Sequence, residues 1–380
     1  MCKFRCVVRQ FLLRESRIQA NAAFYTHVRL ITLSLYFWKM KFWTWLLWSC
    51  LMLSSQEVLS QVQLDQFARY QVDSAWRPEV LGYLRNTEFF HPAEEGRTRF
   101  GALLGLRRAY DLKEGRSAEL GLLVNQSFGA ATQVLPWVVL RASGAGYRIQ
   151  LGSIADRGHE LPRQLLNPDL RYAVPVVYGL SGTAFGGGFK ARYWVEWLSA
   201  IDYGSPFKER IHGGATAGWV SQRARLEGIL QYHHVGGQID TSPEVDGNRL
   251  NFGLMGRALF GPLELRAAHL RYADPLARFG PEKSGYGSSV EAQLRLGKRA
   301  ALDASYWQAE NFKAPLGQGL FQSRNPEDPM AWYRKDSQIL GLGLGWEGAS
   351  SLRVRAWYDF AERSLQPSVT WVRYVALDRL

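Results

Sequence analysis

From about residue 97 to the C-terminus, apolar and polar residues alternate in runs of roughly ten, the length at which a tilted strand crosses a bilayer. The cleanest run is Val290-Glu291-Ala292-Gln293-Leu294-Arg295-Leu296. Its Val, Ala and Leu share one face and its Glu, Gln and Arg the other, because successive side chains of a strand point to opposite sides. No long stretch with a 3.6-residue period follows residue 97. A soluble β-sandwich also alternates, but its strands usually run to about five or six residues. The pattern therefore predicts an all-β chain folded as a transmembrane antiparallel up-and-down β-barrel. The 37 glycines and the aromatic residues (14 Trp, 17 Tyr, 19 Phe) suit its turns and interfacial girdles.

Strands are expected near 97–109, 116–126, 134–142, 146–154, 174–183, 189–198, 213–222, 223–235, 248–260, 262–272, 285–297, 299–311, 337–347, 351–361 and 367–376. Their connections alternate in length. Short ones include Ser143-Gly144-Ala145, Gly186-Gly187-Gly188, Gly261-Pro262 and Gly297-Lys298; long ones cover 155–173, 199–212, 236–247, 273–284 and 312–336. Barrels of this class put short turns in the periplasm and long loops outside. The strand at 97–109 then starts outside, and one more strand near 78–86 is needed before it. The count becomes sixteen, an even number as such barrels have; fourteen results if two runs are false.

The N-terminus reads as an export signal with a prefix. Met40-Lys41 precedes an apolar run, Phe42 to Leu53, and then Ser54-Ser55-Gln56, the layout of a secretory signal. The domain reading is a spurious prefix at 1–39, a signal peptide at 40–60, a periplasmic lead-in with a possible first strand at 61–96, and the barrel at 97–380. Leu47-Trp48-Ser49-Cys50 loosely matches a lipidation site, but Trp48 is bulky and the apolar run continues past Cys50. Cys2 and Cys6 lie in the prefix, so a mature chain has no thiol for disulfides or metal ligation. Of the +12 net charge, +7 sits in residues 1–55, leaving +5 for the rest. That balance, without any recognition motif, argues against nucleic acid as a partner.

The alternation assigns faces. In 189–197, Phe189, Ala191, Tyr193, Val195 and Trp197 face lipid, while Lys190, Arg192, Trp194 and Glu196 face the lumen. A charge on the lipid face costs roughly 2–4 kcal/mol at mid-bilayer. The same rule turns inward Arg148, Arg223, Arg225, Glu227, Arg249, Arg257, Arg295, Arg299, Asp303, Arg353, Arg355 and Asp359, which with Lys190, Arg192 and Glu196 are the pore-lining candidates. Rings of basic residues bias a water-filled pore toward anions. The same arginines and carboxylates can instead pair across strands and rigidify the interior.

Other chemistry is sparse. His233 and His234 are adjacent, point to opposite faces on a strand, and cannot chelate one metal. His159 lies beside Asp156, Arg157 and Asp169 in a long loop, the setting of a solvated residue. Neither a G-x-S-x-G elbow nor an H-E-x-x-H helix occurs.

Several stretches together resemble an uncharacterised family of Bacteroidetes outer-membrane β-barrel, porin-like proteins. They are Asn86-Thr87-Glu88-Phe89-Phe90, Thr98-Arg99-Phe100-Gly101, Gly152-Ser153-Ile154 with His159-Glu160-Leu161, Tyr178-Gly179-Leu180, Trp194-Val195-Glu196-Trp197, Ser205 to Arg210 and Gly236 to Ser242. The resemblance spans about 61–260 and implies a Gram-negative outer-membrane barrel, without functional residues to carry over. Such barrels usually finish on an aromatic residue, whereas this chain finishes Leu377-Asp378-Arg379-Leu380.

The expected function is porin-like passage of small or anionic solutes or of an exported polymer. The alternative is a non-conducting barrel that anchors or assembles a surface component; a lipid-modifying barrel enzyme ranks third. The chain is thus read as not an enzyme, with no catalytic residue, metal or cofactor. Outer-membrane lipid and the barrel-assembly machinery are its expected partners. An open lumen favours a porin, a filled one anchoring, and a His or Ser cluster on the lipid-facing rim an enzyme.

Overall fold

The computed structural model describes residues 76–376, except for 92–93, 155–159, 202–204, 238–246, 276–283, 325–332 and 348–349. The prefix and signal readings, Cys50 and His159 lie outside the described residues, as does most of Gly236 to Ser242.

Sixteen antiparallel strands follow in order. They are β1 (Trp76–His91), β2 (Glu94–Lys113), β3 (Arg116–Ser127), β4 (Gln133–Gly144), β5 (Tyr147–Ile154), β6 (Val177–Gly186), β7 (Phe189–Ser199), β8 (Glu209–Val220), β9 (Ala224–Gly236), β10 (Gly247–Phe260), β11 (Leu263–Ala273), β12 (Ser284–Leu296), β13 (Ala300–Glu310), β14 (Asp336–Glu347), β15 (Ser350–Asp359) and β16 (Ser364–Ala376). Each pairs with its sequence neighbours, and β1 closes the barrel against β16, from Glu79 opposite Ala376 to Thr87 opposite Ser368. The strand expected near 78–86 is β1, and the even count of sixteen holds.

The period-two pattern sets the walls. In β7, Phe189, Tyr193 and Trp197 are exposed, while Arg192, Trp194 and Glu196 are buried. Between β6 and β7, Gly187 and Gly188 take positive φ of 57° and 79°, where L side chains are disfavoured, so two residues suffice to reverse the chain. By the class rule, this end with its short turns is periplasmic and the opposite end external.

Two external connections fold into the lumen instead of standing above it. One joins β5 to β6 and carries helix α1 (Leu170–Ala173); the other joins β13 to β14 and carries a 3-10 turn (Gly319–Phe321). They meet each other: the Asn167 amide donates to the Leu316 carbonyl at 2.6 Å, and the Gln318 amide to the Arg163 carbonyl at 3.0 Å. Leu165, Phe312, Leu320 and Phe321 pack on inward Ile229, Leu270, Trp307, Ile339 and Trp357. Burying each such apolar side chain stabilises by about 1.5–3 kcal/mol. Across the lumen, Tyr172 and Val176 pack with Leu81, Tyr83, Leu103, Trp137 and Val372. Arg85 ties α1 to β1 through an ion pair with Asp169.

Candidate functional site

The inward charges are largely paired. Glu160, on the first inserted segment, accepts from Arg192 at 2.7 Å and from Arg225, and lies 3.8 Å from Lys190. Burial pulls the Glu160 carboxyl up, but Arg192 and Arg225 outweigh it and hold its pKa down to about 2. Arg225 also pairs with Glu227, Arg257 with Glu264 at 2.8 Å, Arg355 with Asp303 at 3.0 Å, and Arg334 with Asp359. These contacts are the cross-strand and plug-to-wall pairing that the sequence left open against a ring of free cations.

The other expected lumen residues divide. Arg249 faces inward opposite buried His233, and Arg353 faces inward on β15. Arg148 and Arg295 sit near the periplasmic rims of β5 and β12 and are exposed. Two placements are corrected: Arg223 and Arg299 are exposed turn residues, because the turns after β8 and β12 take three residues each before the next strand begins at Ala224 and Ala300. His233 and His234 do point apart. His233 is buried inward, and His234 hydrogen-bonds Asn248 Oδ1 at 2.7 Å on the outer face.

Two histidine sites went unread in the sequence. In the lumen, register places His212 of β8 opposite Glu196 of β7, and His212 Nδ1 meets Glu196 Oε2 at 2.8 Å with both side chains fully buried. His212 Nε2 meets Gln231 at 2.9 Å, and Gln231 donates to the Leu165 carbonyl of the plug. This fully buried pair, through Gln231, joins β7, β8 and β9 to the plug.

The second site lies on the lipid face, in the external halves of β11 and β12. His269 and Ser288 are directly opposite in register, and His269 Nδ1 meets Ser288 Oγ at 2.9 Å. Both side chains point outward and are exposed. Gln308 of β13 stands opposite Ser288 and is also exposed. Exposed Leu254, Leu265 and Val290 surround the pair with apolar surface, and the Tyr286 ring lies 6.4 Å from the imidazole. A hydroxyl within hydrogen-bond reach of an imidazole is the minimal nucleophile-and-base geometry. Arg271, two residues beyond His269 on the same face, is exposed and has no hydrogen bond or ion pair among the described residues. Only the strand register brings residues 269, 288 and 308 together. The sequence signal was a polar residue recurring at outward positions of three successive strands. No cluster of potential metal ligands occurs among the described residues.

The profile of the Lipid A 3′-O-deacylase-type family matches residues 75–373. No curated protein matches the chain in sequence. Among solved structures, it is similar to a loop-L8 deletion mutant of OmpT, an outer-membrane protein of Vibrio cholerae, with a TM-score of 0.51 and 11% identity over 80% of this chain and 100% of that one. It is also similar to an anion-selective porin from Comamonas acidovorans, with a TM-score of 0.50 and 12% identity over 79% of this chain and 99% of that one. These likenesses carry the outer-membrane barrel fold alone. The family match overturns the expectation that the chain is not an enzyme, since the matched family is one of enzymes. It also replaces the resemblance to a family without known activity, while the outer-membrane barrel that the resemblance implied stands.

Proposed function

The chain belongs to the Lipid A 3′-O-deacylase-type family, and from that premise we propose that it hydrolyses an acyl ester of an outer-leaflet lipid, with Ser288 as nucleophile and His269 as base. The observation that carries this reading is the hydrogen-bonded His269–Ser288 pair on the outward wall. An ester inside the leaflet reaches that wall sideways, without entering the lumen. His269 Nδ1 takes the hydroxyl proton as Ser288 Oγ attacks the acyl carbonyl carbon. It then returns the proton to the leaving sugar oxygen as the ester C–O bond breaks. A water, deprotonated by the same imidazole, releases the fatty acid and restores Ser288. The Gln308 amide is within one strand spacing to donate to the oxyanion. Leu254, Leu265 and Val290 offer the acyl chain apolar surface. Arg271 offers an anionic headgroup a cation.

The test is mass spectrometry of lipid A incubated with the refolded barrel, beside Ser288→Ala and His269→Gln. Wild type is expected to remove one acyl chain and either variant to lose activity by about 10²-fold or more. No acyl loss by correctly folded wild type overturns the function; full activity in Ser288→Ala overturns the site.

A second reading keeps the passage of small anions. It is favoured by Arg257, Arg266, Arg295, Arg353 and Arg355 on the periplasmic half of the inner wall. Its measurement is single-channel conductance with reversal potentials. Anion-selective steps support it, and silence from a folded barrel removes it.

A further inference from the structure

The second inserted segment leaves the wall after Glu310 of β13 and returns at Lys335, just before β14. Register sets Glu310 opposite Tyr286 of β12, which precedes Ser288 by two residues on the same outward face. Contacts on both sides of the wall tie this segment to the lipid-facing pair.

On the outer side, Lys335 Nζ lies 2.9 Å from Glu310 Oε1, and the Tyr286 hydroxyl donates to Glu310 Oε2 at 3.0 Å. The Asn311 amide donates to the Lys335 carbonyl at 2.8 Å and closes the neck of the segment. Tyr286 and His269 are diagonal neighbours on β12 and β11, a spacing that an aromatic side chain spans. Their rings are 6.4 Å apart and tilted by 33°. Among the described residues, the imidazole has Ser288 Oγ as its hydrogen-bond partner and Tyr286 as its aromatic neighbour. The bond to Ser288 is spent when the proton moves, so packing has to hold the imidazole through the reaction.

On the inner side, Gly287 lies between Tyr286 and Ser288, and the Trp307 indole of β13 covers it. A Cβ at Gly287 would come within 2.2 Å of that ring. Phe312 and Phe321 of the inserted segment meet the Trp307 ring edge-on, with centroids at 5.1 and 6.1 Å, and all three side chains are buried. The two phenylalanines thus press on Trp307, Trp307 on the Gly287 backbone, and Ser288 is the next residue. A close-packed interior passes a displacement on instead of absorbing it.

We propose that the segment inserted after β13 positions the His269–Ser288 pair. Phe312, Phe321 and Trp307 fix the strand behind the serine; Lys335, Glu310 and Tyr286 fix the imidazole beside it. The proposal rests on the reading of these two residues as base and nucleophile. The segment is then the scaffold of a site that lies outside the lumen, and its residues act through His269 and Ser288 without touching the lipid's reacting ester. Reacting groups about 1 Å out of place can lose 10²-fold in rate.

The test compares the refolded full-length barrel with Phe312→Leu, Tyr286→Leu, Tyr286→Phe and Tyr172→Leu. Tyr172 of α1 packs against Tyr83 of β1 at 4.9 Å, so its variant loosens an inserted segment away from β12. Kinetics on lipid A in mixed micelles, normalised to folded barrel by heat-modifiable migration on a gel, are expected to show kcat down about tenfold in Phe312→Leu and Tyr286→Leu with KM unchanged. Tyr286→Phe, which keeps the ring, retains part of the rate, and Tyr172→Leu retains all of it. A second measurement needs no turnover. In histidine-labelled protein, the NMR signals of the His269 imidazole, assigned through His269→Gln, are expected to move in Phe312→Leu and to stay in Tyr172→Leu. Should Phe312→Leu not fold, Phe321→Leu carries the same expectations. Wild-type kcat or an unmoved His269 signal in Phe312→Leu overturns the proposal. So does an equal loss in Tyr172→Leu, which marks general loosening. A folded wild type that removes no acyl chain overturns the hydrolytic reading instead, and the imidazole signal then decides the positioning alone.

Discussion

Asp303 on β13 and Arg355 on β15 close an ion pair at 3.0 Å across the strand that separates them. Both are in register with Gly343 of β14, and the pair crosses over it. Two strand spacings amount to roughly 9.5 Å, which the two side chains span only if nothing projects between them. A Cβ on Gly343 would come within 2.4 Å of Asp303 Oδ2. The alternation Gly341-Leu342-Gly343-Leu344-Gly345 thus has two functions: leucines meet lipid, and glycines let charges meet over the strand.

Gly343→Ala is expected to push Asp303 aside and destabilise the barrel by about 1–3 kcal/mol, since a buried ion pair then loses its geometry. Gly345→Ala, whose Cβ would make ordinary contact at 3.5 Å, is expected to stay within about 0.5 kcal/mol of wild type. Thermal or urea unfolding followed by gel migration compares the two. Equal effects would mean that the crossing pair is not what Gly343 protects.

His212→Ala leaves Glu196 fully buried without its imidazole. Removing one partner of a buried pair costs about 3–5 kcal/mol. The folded fraction should nonetheless deacylate with wild-type kcat, because His212 is sealed from lipid. A kcat loss in folded protein, with stability intact, would transfer the chemistry from the wall to the lumen.

Glu160 anchors the first plug segment to Arg192, Arg225 and Lys190. Its folded pKa is lowered from 4.5 to about 2. A depressed carboxylate contributes stability above its unfolded value and loses it as pH falls through the folded one. Plug-limited conductance should therefore be flat from pH 7 to 4.5 and rise only as pH falls toward 2. Glu160→Gln should raise it already at pH 7. An opening centred near pH 4.5 in wild type would show that the arginines do not hold this carboxylate.

Arg271→Ala is expected to raise KM for an anionic lipid several-fold with kcat near wild type, the mark of lost uniform binding. Steady-state kinetics in mixed micelles separate the two constants. The same KM rise on an uncharged ester would show that Arg271 acts by packing and not by charge.

Much of the wall was legible because strand geometry is local. Phe189 and Trp197 outward, and Arg192 and Glu196 inward, follow from the parity of one strand. The errors fall where parity stops: Arg223 and Arg299 continue the alternation of their runs but stand in turns. Nothing in the spacing of His269 and Ser288 announces a pair, because their meeting depends on how far β12 slides along β11. His212 and Glu196 are likewise sixteen residues apart and joined by register alone.

By itself, the sequence determined an antiparallel barrel of sixteen or fourteen strands and the face on which its spanning side chains lie. The cause is desolvation: in a bilayer a charged residue has only one inexpensive side, and backbone groups must all pair within the sheet. Tertiary structure alone decided which inward charges meet, that the segments after β5 and β13 pack on the inner wall, and that a hydroxyl and an imidazole share the lipid face. Those outcomes depend on barrel shear and on long-range packing of Phe312, Leu320 and Leu165 against distant strands, and neither leaves a period in the sequence.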